Sequence, residues 1–104
     1  MTGCIVVTCA VGSKENAVEI ASAMIERRFA ACVQISAVES LYRWDGVIRR
    51  EPELMLHVKT TAERFADLQA LITHLHEYDM PEIVALPIVE ASPGYLAWIR
   101  QSVA

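Results

Sequence analysis

Residues 40–51 read SLYRWDGVIRRE, and this segment sets the topology of the whole chain. At its centre, Asp45-Gly46 is a strong signal for a two-residue hairpin, because a type I′ turn requires positive φ at both central positions. We therefore predict two long paired strands, one from about residue 31 to residue 44 and one from about residue 47 to residue 60.

The turn also fixes the register of the two strands. Trp44 is expected opposite Val47, and Tyr42 opposite Arg49. Pro52 cannot donate to a strand ladder, so it marks an edge, a bulge or a break in the second strand. Beyond it the strand alternates regularly and places three apolar side chains on one face: Leu54, Leu56 and Val58.

Shorter elements precede the hairpin. Residues 4–9 form a mostly apolar run rich in β-branched side chains, which predicts a buried first strand. Ser13 is a suitable N-cap, and apolar residues then recur at helical spacing. A first helix is therefore predicted from about residue 14 to residue 28.

Three more elements follow the hairpin. Thr60 and Glu63 fit a capping box, which predicts an amphipathic helix that ends near His76. Residues 83–86 predict a fourth strand that is apolar on both faces and therefore well covered. A turn at residues 92–94 precedes a short third helix that carries three large side chains on one face: Tyr95, Trp98 and Ile99.

The predicted element order is β-α-β-β-α-β with an added C-terminal helix. With right-handed crossovers, this order gives a ferredoxin-like α+β sandwich with an extended central hairpin. Strands one and two are then parallel, strand three lies between them, and both helices cover one face. A chain of 104 residues has the size of one domain, so residues 1–104 are predicted to form a single domain.

The hairpin is too long for the helices beside it. A strand of roughly 14 residues spans about 45 Å, whereas a helix of roughly 15 residues covers about 22 Å. The hairpin is therefore expected to project beyond its helices and to expose apolar surface unless another subunit covers it. The alternative is a solvated hairpin without a partner. The residues predicted at the subunit interface are Leu41, Tyr42, Trp44, Val47 and Ile48.

Composition narrows the possible partners. Hydrophobic residues make up 54% of the chain, so a subunit interface is expected to bury part of them. The net charge is −4, so nucleic acid is not an expected partner. No apolar run approaches the roughly 20 residues that span a bilayer. Met1-Thr2-Gly3 lacks the basic start of a signal peptide, which predicts a cytoplasmic protein. The three cysteines, with no paired spacing, are then expected to be free thiols.

Five segments resemble the CutA family and occur in the family's order along nearly the whole chain. They are residues 30–35 (AACVQI), 39–46 (ESLYRWDG), 56–61 (LHVKTT), 76–87 (HEYDMPEIVALP) and 95–99 (YLAWI). One departure from the family pattern is Glu77, which stands where the family usually has proline. The segment after His76 is therefore expected to be less rigid than in the family.

The resemblance implies a homotrimer of ferredoxin-like subunits, locked together by the long hairpins. It implies a role in tolerance of divalent cations, copper especially, and no enzymatic activity. The family's proposed copper ligands correspond here to Cys9, Cys32 and His76. The trimer also looks like the PII signalling proteins, which bind small ligands between subunits. The alternative function is therefore a PII-like module for small ligands or protein interaction, in which metal binding is incidental.

The residues themselves support a metal site less strongly than the resemblance to the family does. Thiolate and imidazole suit copper and zinc, yet the chain has no Cys-x-x-Cys pair. In the predicted topology, Cys9 and His76 lie at the end of strand one, whereas Cys32 lies at the opposite end of the sheet. Either Cys32 meets a group from another subunit, or Cys9 and Cys32 are ordinary buried residues.

A cleft between subunits is the other candidate site. Polar and aromatic residues on the long strands and in the segments that match the family are its predicted lining: Gln34, Glu51, Lys59, Tyr78, Glu82 and Trp98. The alternative is that these residues hold the trimer together by ion pairs and aromatic contacts. No glycine-rich phosphate loop and no Walker-like lysine occurs, so no organic cofactor is expected. Cys9 and His76 are the only nucleophile and base that the topology brings near each other.

Overall fold

A four-stranded antiparallel sheet carries the helices, and the computed structural model describes all 104 residues. The strands are β1 (Cys4–Val11), β2 (Cys32–Trp44), β3 (Val47–Thr61) and β4 (Val84–Pro87). The helices are α1 (Lys14–Glu26), α2 (Phe65–Leu75) and α3 (Pro93–Ser102), with a short 3-10 helix (Ala62–Arg64) before α2. None of the helices is long and apolar enough to cross a membrane.

The sheet order is β2-β3-β1-β4, with every neighbouring pair antiparallel. Strands β1 and β2 are therefore parallel to each other and separated by β3, as the element order predicts. The ferredoxin-like α+β fold is confirmed.

One face of the sheet packs against α1 and α2. Alternate residues of β1 and β3 point to that face, so each strand contributes every second side chain to the core. Val7 and Val58 lie directly opposite each other and are fully buried. They join a core cluster with helix residues that recur at helical spacing, among them Ile20, Met24, Leu68 and Ile72. The opposite face of the sheet carries no helix of this core.

The first helix begins as predicted and ends two residues early. Ser13 caps it, since its side chain accepts a hydrogen bond from the Asn16 backbone N–H at 3.2 Å. The helix ends at Glu26 because Arg28 adopts a positive φ of 60°, which terminates the helical path.

The predicted capping box is wrong. Strand β3 continues through Thr61, and the hydroxyl of Thr60 donates to the backbone oxygen of Phe29 at 2.6 Å instead of capping a helix. Thr60 is fully buried, so its hydroxyl needs a partner inside the fold, and the turn after α1 supplies one. The 3-10 helix then precedes α2, which starts at Phe65.

The hairpin register is confirmed at the predicted residue pairs. Trp44 lies opposite Val47 and Tyr42 opposite Arg49. The turn has φ of 51° at Asp45 and 75° at Gly46, as a type I′ turn requires.

Pro52 lies where β3 has lost one of its two neighbours. It pairs with Glu39 of β2, while the pairing of β3 with β1 begins only at Leu54. Pro52 therefore occupies an edge position in a continuous strand, and neither a bulge nor a break occurs there.

The hairpin projects from the sandwich, and the molecule measures 45 × 25 × 21 Å. Every residue of the chain from Leu41 to Arg50 is exposed. The fourth strand is exposed as well, which corrects the expectation that it is well covered. Val84 is 45% and Leu86 51% exposed, because both point to the face opposite α1 and α2.

Candidate functional site

His76 connects the end of α2 to the end of β1. Its Nε2 lies 2.8 Å from the backbone oxygen of Ala10, and its Nδ1 lies 3.0 Å from the backbone nitrogen of Tyr78. A carbonyl can only accept and a backbone N–H can only donate, so Nε2 carries the proton and Nδ1 accepts. Both ring nitrogens of this buried histidine are therefore already bonded.

Tyr78 continues this connection to the base of the hairpin. Its ring packs against His76 with the centroids 4.7 Å apart, and its hydroxyl donates to Oε2 of Glu53 at 2.9 Å. Burial and the Glu53 carboxylate raise the pKa of Tyr78 well above its ordinary value. Gly12 makes this position possible, since a Cβ there would lie only 2.7 Å from the Tyr78 hydroxyl.

A cavity of about 800 Å³ lies between the hairpin and the segment that follows His76. The hairpin contributes Tyr42, Trp44 and Glu53 to its wall, and the following segment contributes Tyr78 and Glu82. Its volume falls in the usual range of ligand pockets, roughly 300 to 1,000 Å³. Of the predicted cleft residues, only Tyr78 and Glu82 line it.

The charge of the cavity wall is predominantly negative. Glu39, Glu53, Asp79 and Glu82 line it together with one basic residue, Arg49. Glu39 is paired with Arg50 at 3.0 Å, while Glu53, Asp79 and Glu82 form no ion pair. The carboxylate of Glu82 instead accepts from the hydroxyl of Thr8 at 3.2 Å. Three carboxylates without a basic partner therefore face the same space.

Cys9 is part of the core. It is fully buried in the main apolar cluster. Burial, with smaller contributions from Glu82 and Glu53, raises the pKa of its thiol to about 12. The thiol therefore stays protonated at neutral pH. It contacts the same Ala10 oxygen that His76 binds, at 3.9 Å, and makes no hydrogen bond with His76.

Cys32 lies on the other side of the sheet. It pairs with Lys59, whereas Cys9 pairs with the core residue Leu56, so the two thiols point to opposite faces. Leu56 is also opposite Ile35, three positions along β2 from Cys32. From strand spacing and rise per residue, the two cysteine backbones are about 14 Å apart.

The three predicted metal ligands do not meet within one subunit. Ligand atoms that share one copper or zinc ion lie within about 4 Å of one another. The structure contains no cluster of three or more His, Cys, Asp or Glu side chains arranged to hold a metal. Within one chain, Cys9, Cys32 and His76 as they stand do not fit a shared ion. The assignment of these residues to a metal stays a prediction for the assembled protein.

The remaining predicted cleft residues are dispersed over the structure. Lys59 donates to the side-chain oxygen of Gln34 on the face of the sheet opposite α1 and α2. Glu51 forms a 3.6 Å ion pair with Arg49. Trp98 lies on α3 and stacks on Tyr95 with the centroids 5.5 Å apart. One chain does not bring these residues to a single site.

No sequence pattern indicates the roles of Glu53 and Gly12. Glu53 follows the proline of β3 with no motif around it, and only its long-range hydrogen bond to Tyr78 reveals its place at the cavity. The pattern around Gly12 indicates only the end of a strand, although its missing side chain makes room for Tyr78. The aromatic Tyr78 two residues after His76 was the available signal that this segment packs against something.

The five predicted interface residues are all exposed in the single chain. Tyr42 and Trp44 face the cavity from the hairpin. Ile48 is 68% exposed and Leu41 66%, so the tip has no partner within its own subunit.

Known proteins are similar to this chain in sequence and in fold. The family model for the CutA1 divalent ion tolerance protein matches residues 5–102. The divalent-cation tolerance protein CutA of Thermus thermophilus is 47% identical over 98 residues, which cover 93% of this chain and 95% of that protein. The human protein CutA is 36% identical over 96 residues, and the match covers 91% of this chain and 52% of that protein. The chain thus spans about half the length of its mammalian relatives.

Solved structures of related proteins have a fold closely similar to that of this chain. The periplasmic divalent cation tolerance protein CutA of Archaeoglobus fulgidus superposes with a TM-score of 0.95 at 33% identity, covering 97% of this chain and 99% of that one. The protein from Thermus thermophilus gives a TM-score of 0.93 at 45% identity, with the same two coverages of 97% and 99%. Fold and sequence together define a ferredoxin-like protein of the divalent-cation tolerance class. This chain belongs to the CutA1 family of divalent ion tolerance proteins.

Proposed function

We propose that this protein acts in tolerance of divalent cations, copper foremost, as a cytoplasmic homotrimer without enzymatic activity. The class of function rests on family membership and on the names of the relatives. The trimer, the choice of copper and the location come from the sequence and its resemblance. The observation that carries the proposal of an oligomer is the apolar surface that one chain leaves open.

That open surface is extensive. Strand β2 lies at the edge of the sheet, and its outer edge has no partner along 13 residues. A long free edge of this kind pairs with other chains unless it is covered. The exposed hairpin tip and the exposed Val84 and Leu86 of β4 add apolar side chains to the uncovered area. Further copies of the chain would remove both the free edge and this surface from water.

Of the three proposed ligands, Cys32 is the one that can bind copper without a rearrangement of the hydrophobic core. It is only partly buried, its side chain makes no hydrogen bond, and it lies on the face of the sheet opposite α1 and α2. We therefore propose that its thiolate binds copper together with groups from neighbouring copies. Cys9 would have to leave the core, and His76 would have to give up a backbone hydrogen bond, before either could do so.

The test is a competitive calorimetric titration of the reduced oligomer with copper and zinc. Cys32→Ser is expected to abolish stoichiometric copper binding, while Cys9→Ser and His76→Ala leave it largely intact. His74→Ala is the matched control, because His74 is exposed and makes no side-chain hydrogen bond. Copper binding that is equally weak in all variants, the original protein included, would remove metal binding from the proposed function.

A second candidate is a PII-like module for a small ligand. The cavity beside Tyr78 and Glu82 favours it, because its volume of about 800 Å³ suits a small molecule and no part of the proposed copper site uses it. This candidate predicts saturable binding of a small molecule that does not depend on Cys32.

A further inference from the structure

We propose that Asn16 is a positioning residue that holds His76 in a single tautomer and prevents its ring from binding metal ions. His76 is one of the three copper ligands that the resemblance implies, and the three do not fit a shared ion within one chain. Asn16 supplies a physical cause for the part of His76 in that disagreement. The hydrogen bonds that carry the proposal are made within one chain, between α1 and the end of α2, and they do not depend on copper binding at Cys32.

Asn16 is a buried polar side chain in the first turn of α1, with only 4% of its surface exposed. Its Nδ2 donates to the backbone oxygen of Leu75 at 2.9 Å, and its Oδ1 accepts from the backbone N–H of Glu77 at 3.2 Å. Leu75 and Glu77 are the two neighbours of His76 in the sequence. One amide side chain therefore fixes the backbone both before and after the histidine.

The start of α1 also holds the side chain of Glu77. The backbone N–H of Asn16 donates to Oγ of Ser13 at 3.2 Å, and the Ser13 hydroxyl donates to Oε1 of Glu77 at 3.1 Å. Glu77 is thus bonded to α1 through both its backbone and its carboxylate. A proline at this position could form neither bond. These contacts tie down a segment that the absence of a proline alone would leave freer.

The position of this backbone determines which bonds the imidazole ring of His76 can make. Nε2 donates to the Ala10 oxygen at 2.8 Å, and Nδ1 accepts from the backbone N–H of Tyr78 at 3.0 Å. The unprotonated nitrogen of a neutral imidazole has one lone pair, so Nδ1 cannot bind a metal ion while it accepts this bond. The direction of the Tyr78 N–H follows from the position of Glu77, which precedes it. Asn16 therefore acts on the ring through the Glu77 backbone.

One further contact of Asn16 does not involve the segment around His76. Its Nδ2 also donates to Oε1 of Glu19 at 3.1 Å, and Glu19 is an exposed residue of the same helix. Loss of this contact would leave the bonds to Leu75 and Glu77 in place. Glu19→Ala is therefore the matched control, because it changes a partner of the same amide group without changing the segment around His76.

The first test uses the native protein, labelled with nitrogen-15 and kept reduced at neutral pH. Nuclear magnetic resonance is expected to show His76 with a protonated Nε2 and an unprotonated Nδ1, without averaging between tautomers. Zinc chloride should leave both ring signals unchanged, although imidazole is a common zinc ligand. The side-chain amide protons of Asn16 should exchange with solvent at least about tenfold more slowly than those of the exposed Gln69.

The positioning role is tested with Asn16→Ala. The substitution removes the bonds to Leu75 and Glu77, so the Tyr78 N–H is no longer directed at Nδ1. We expect the His76 ring to populate both tautomers and its signals to shift saturably with zinc chloride. The backbone amides of Glu77 and Tyr78 should exchange about tenfold faster than in the native protein. Glu19→Ala should behave as the native protein does in all three measurements.

Three results would overturn the proposal: a native His76 ring averaged over both tautomers, a native ring that binds zinc, or an Asn16→Ala ring that behaves as the native ring does. If Asn16→Ala does not fold, the native protein carries the test. A side-chain amide of Asn16 that exchanges as fast as that of Gln69 would show that the bridge is absent. Copper binding at Cys32 is tested separately by the Cys32→Ser titration, so the two proposals can fail independently.

Discussion

The hydroxyl of Tyr78 donates a hydrogen bond to Oε2 of Glu53 over 2.9 Å, and this bond ties the segment after α2 to the base of the hairpin. Through His76, the same segment is also tied to the backbone of Ala10 at the end of β1. These bonds place one wall of the cavity relative to the other. The relative position of the two cavity walls therefore depends on a few polar contacts, and each contact can be removed separately by mutation.

Gly12→Ala should displace Tyr78. The new Cβ would lie 2.7 Å from the Tyr78 hydroxyl, so the ring must shift and the bond to Glu53 is lost. We expect a loss of about 1–2 kcal/mol in the free energy of unfolding, measured by urea denaturation. In a Tyr78→Phe background the same change should cost less, because the closest atom is absent.

Gly94→Ala is the control for the Gly12 variant. Gly94 lies in α3 with an ordinary φ, and a Cβ added there would meet no atom within 4 Å. Its replacement should be neutral or stabilising by up to about 1 kcal/mol. A Gly12 variant as stable as the Gly94 variant would show that Tyr78 does not depend on that space.

His76→Ala should destabilise the metal-free protein. The change leaves the Ala10 oxygen and the Tyr78 N–H without their partner, at about 1–3 kcal/mol for each group that stays unsatisfied. Thermal unfolding in the presence of a chelator measures the loss. His74→Ala should change little, and equal effects of the two variants would contradict the structural role of His76.

Alkaline pH should destabilise the protein through Cys9. Its thiol pKa rises from an ordinary value of 9.0 to about 12 on folding, so the unfolded chain releases this proton first. The stabilisation is complete below pH 9 and is lost as the pH rises toward 12, with a slope of up to about 1.4 kcal/mol per pH unit. Urea unfolding from pH 8 upward, under reducing conditions, should show this slope, and Cys9→Ala should reduce it.

Trp44→Ala should weaken the oligomer. Trp44 is a large, half-exposed anchor on the projecting hairpin, and such residues often contribute about 2 kcal/mol to an interface. Dilution series followed by light scattering should show dissociation at a higher concentration than for the original protein. Arg43→Ala, on the adjacent exposed position, is the matched control and should have a smaller effect.

The sequence predicted the fold because its signals are local and strong. Asp45-Gly46 fixed the turn, and the register of the whole hairpin followed from it. The capping box at Thr60 failed because Thr60 still belongs to β3, where it pairs with Ile5 and its hydroxyl donates to the Phe29 oxygen. Local pattern alone cannot reveal a partner that is distant in sequence.

The candidate sites were less predictable for the same reason. Tyr78 and Glu82 belong to recognisable motifs and do line the cavity, but Glu53 and Gly12 act through contacts across the fold. The exposure of Val84 and Leu86 was missed because an apolar run looks the same whether its own chain or another copy covers it. Which apolar side chains one chain leaves exposed becomes clear only from its three-dimensional structure.

The most direct test of the account is the mass of the native protein in solution by light scattering at micromolar concentration. The free edge of β2, the hairpin tip and the apolar β4 call for neighbouring copies, and the resemblance to the family implies three, so we expect three times the 11.6 kDa chain mass. A stable mass of a single chain would contradict it. The hairpin would then be a solvated projection, and no neighbouring subunit could supply copper ligands beside Cys32.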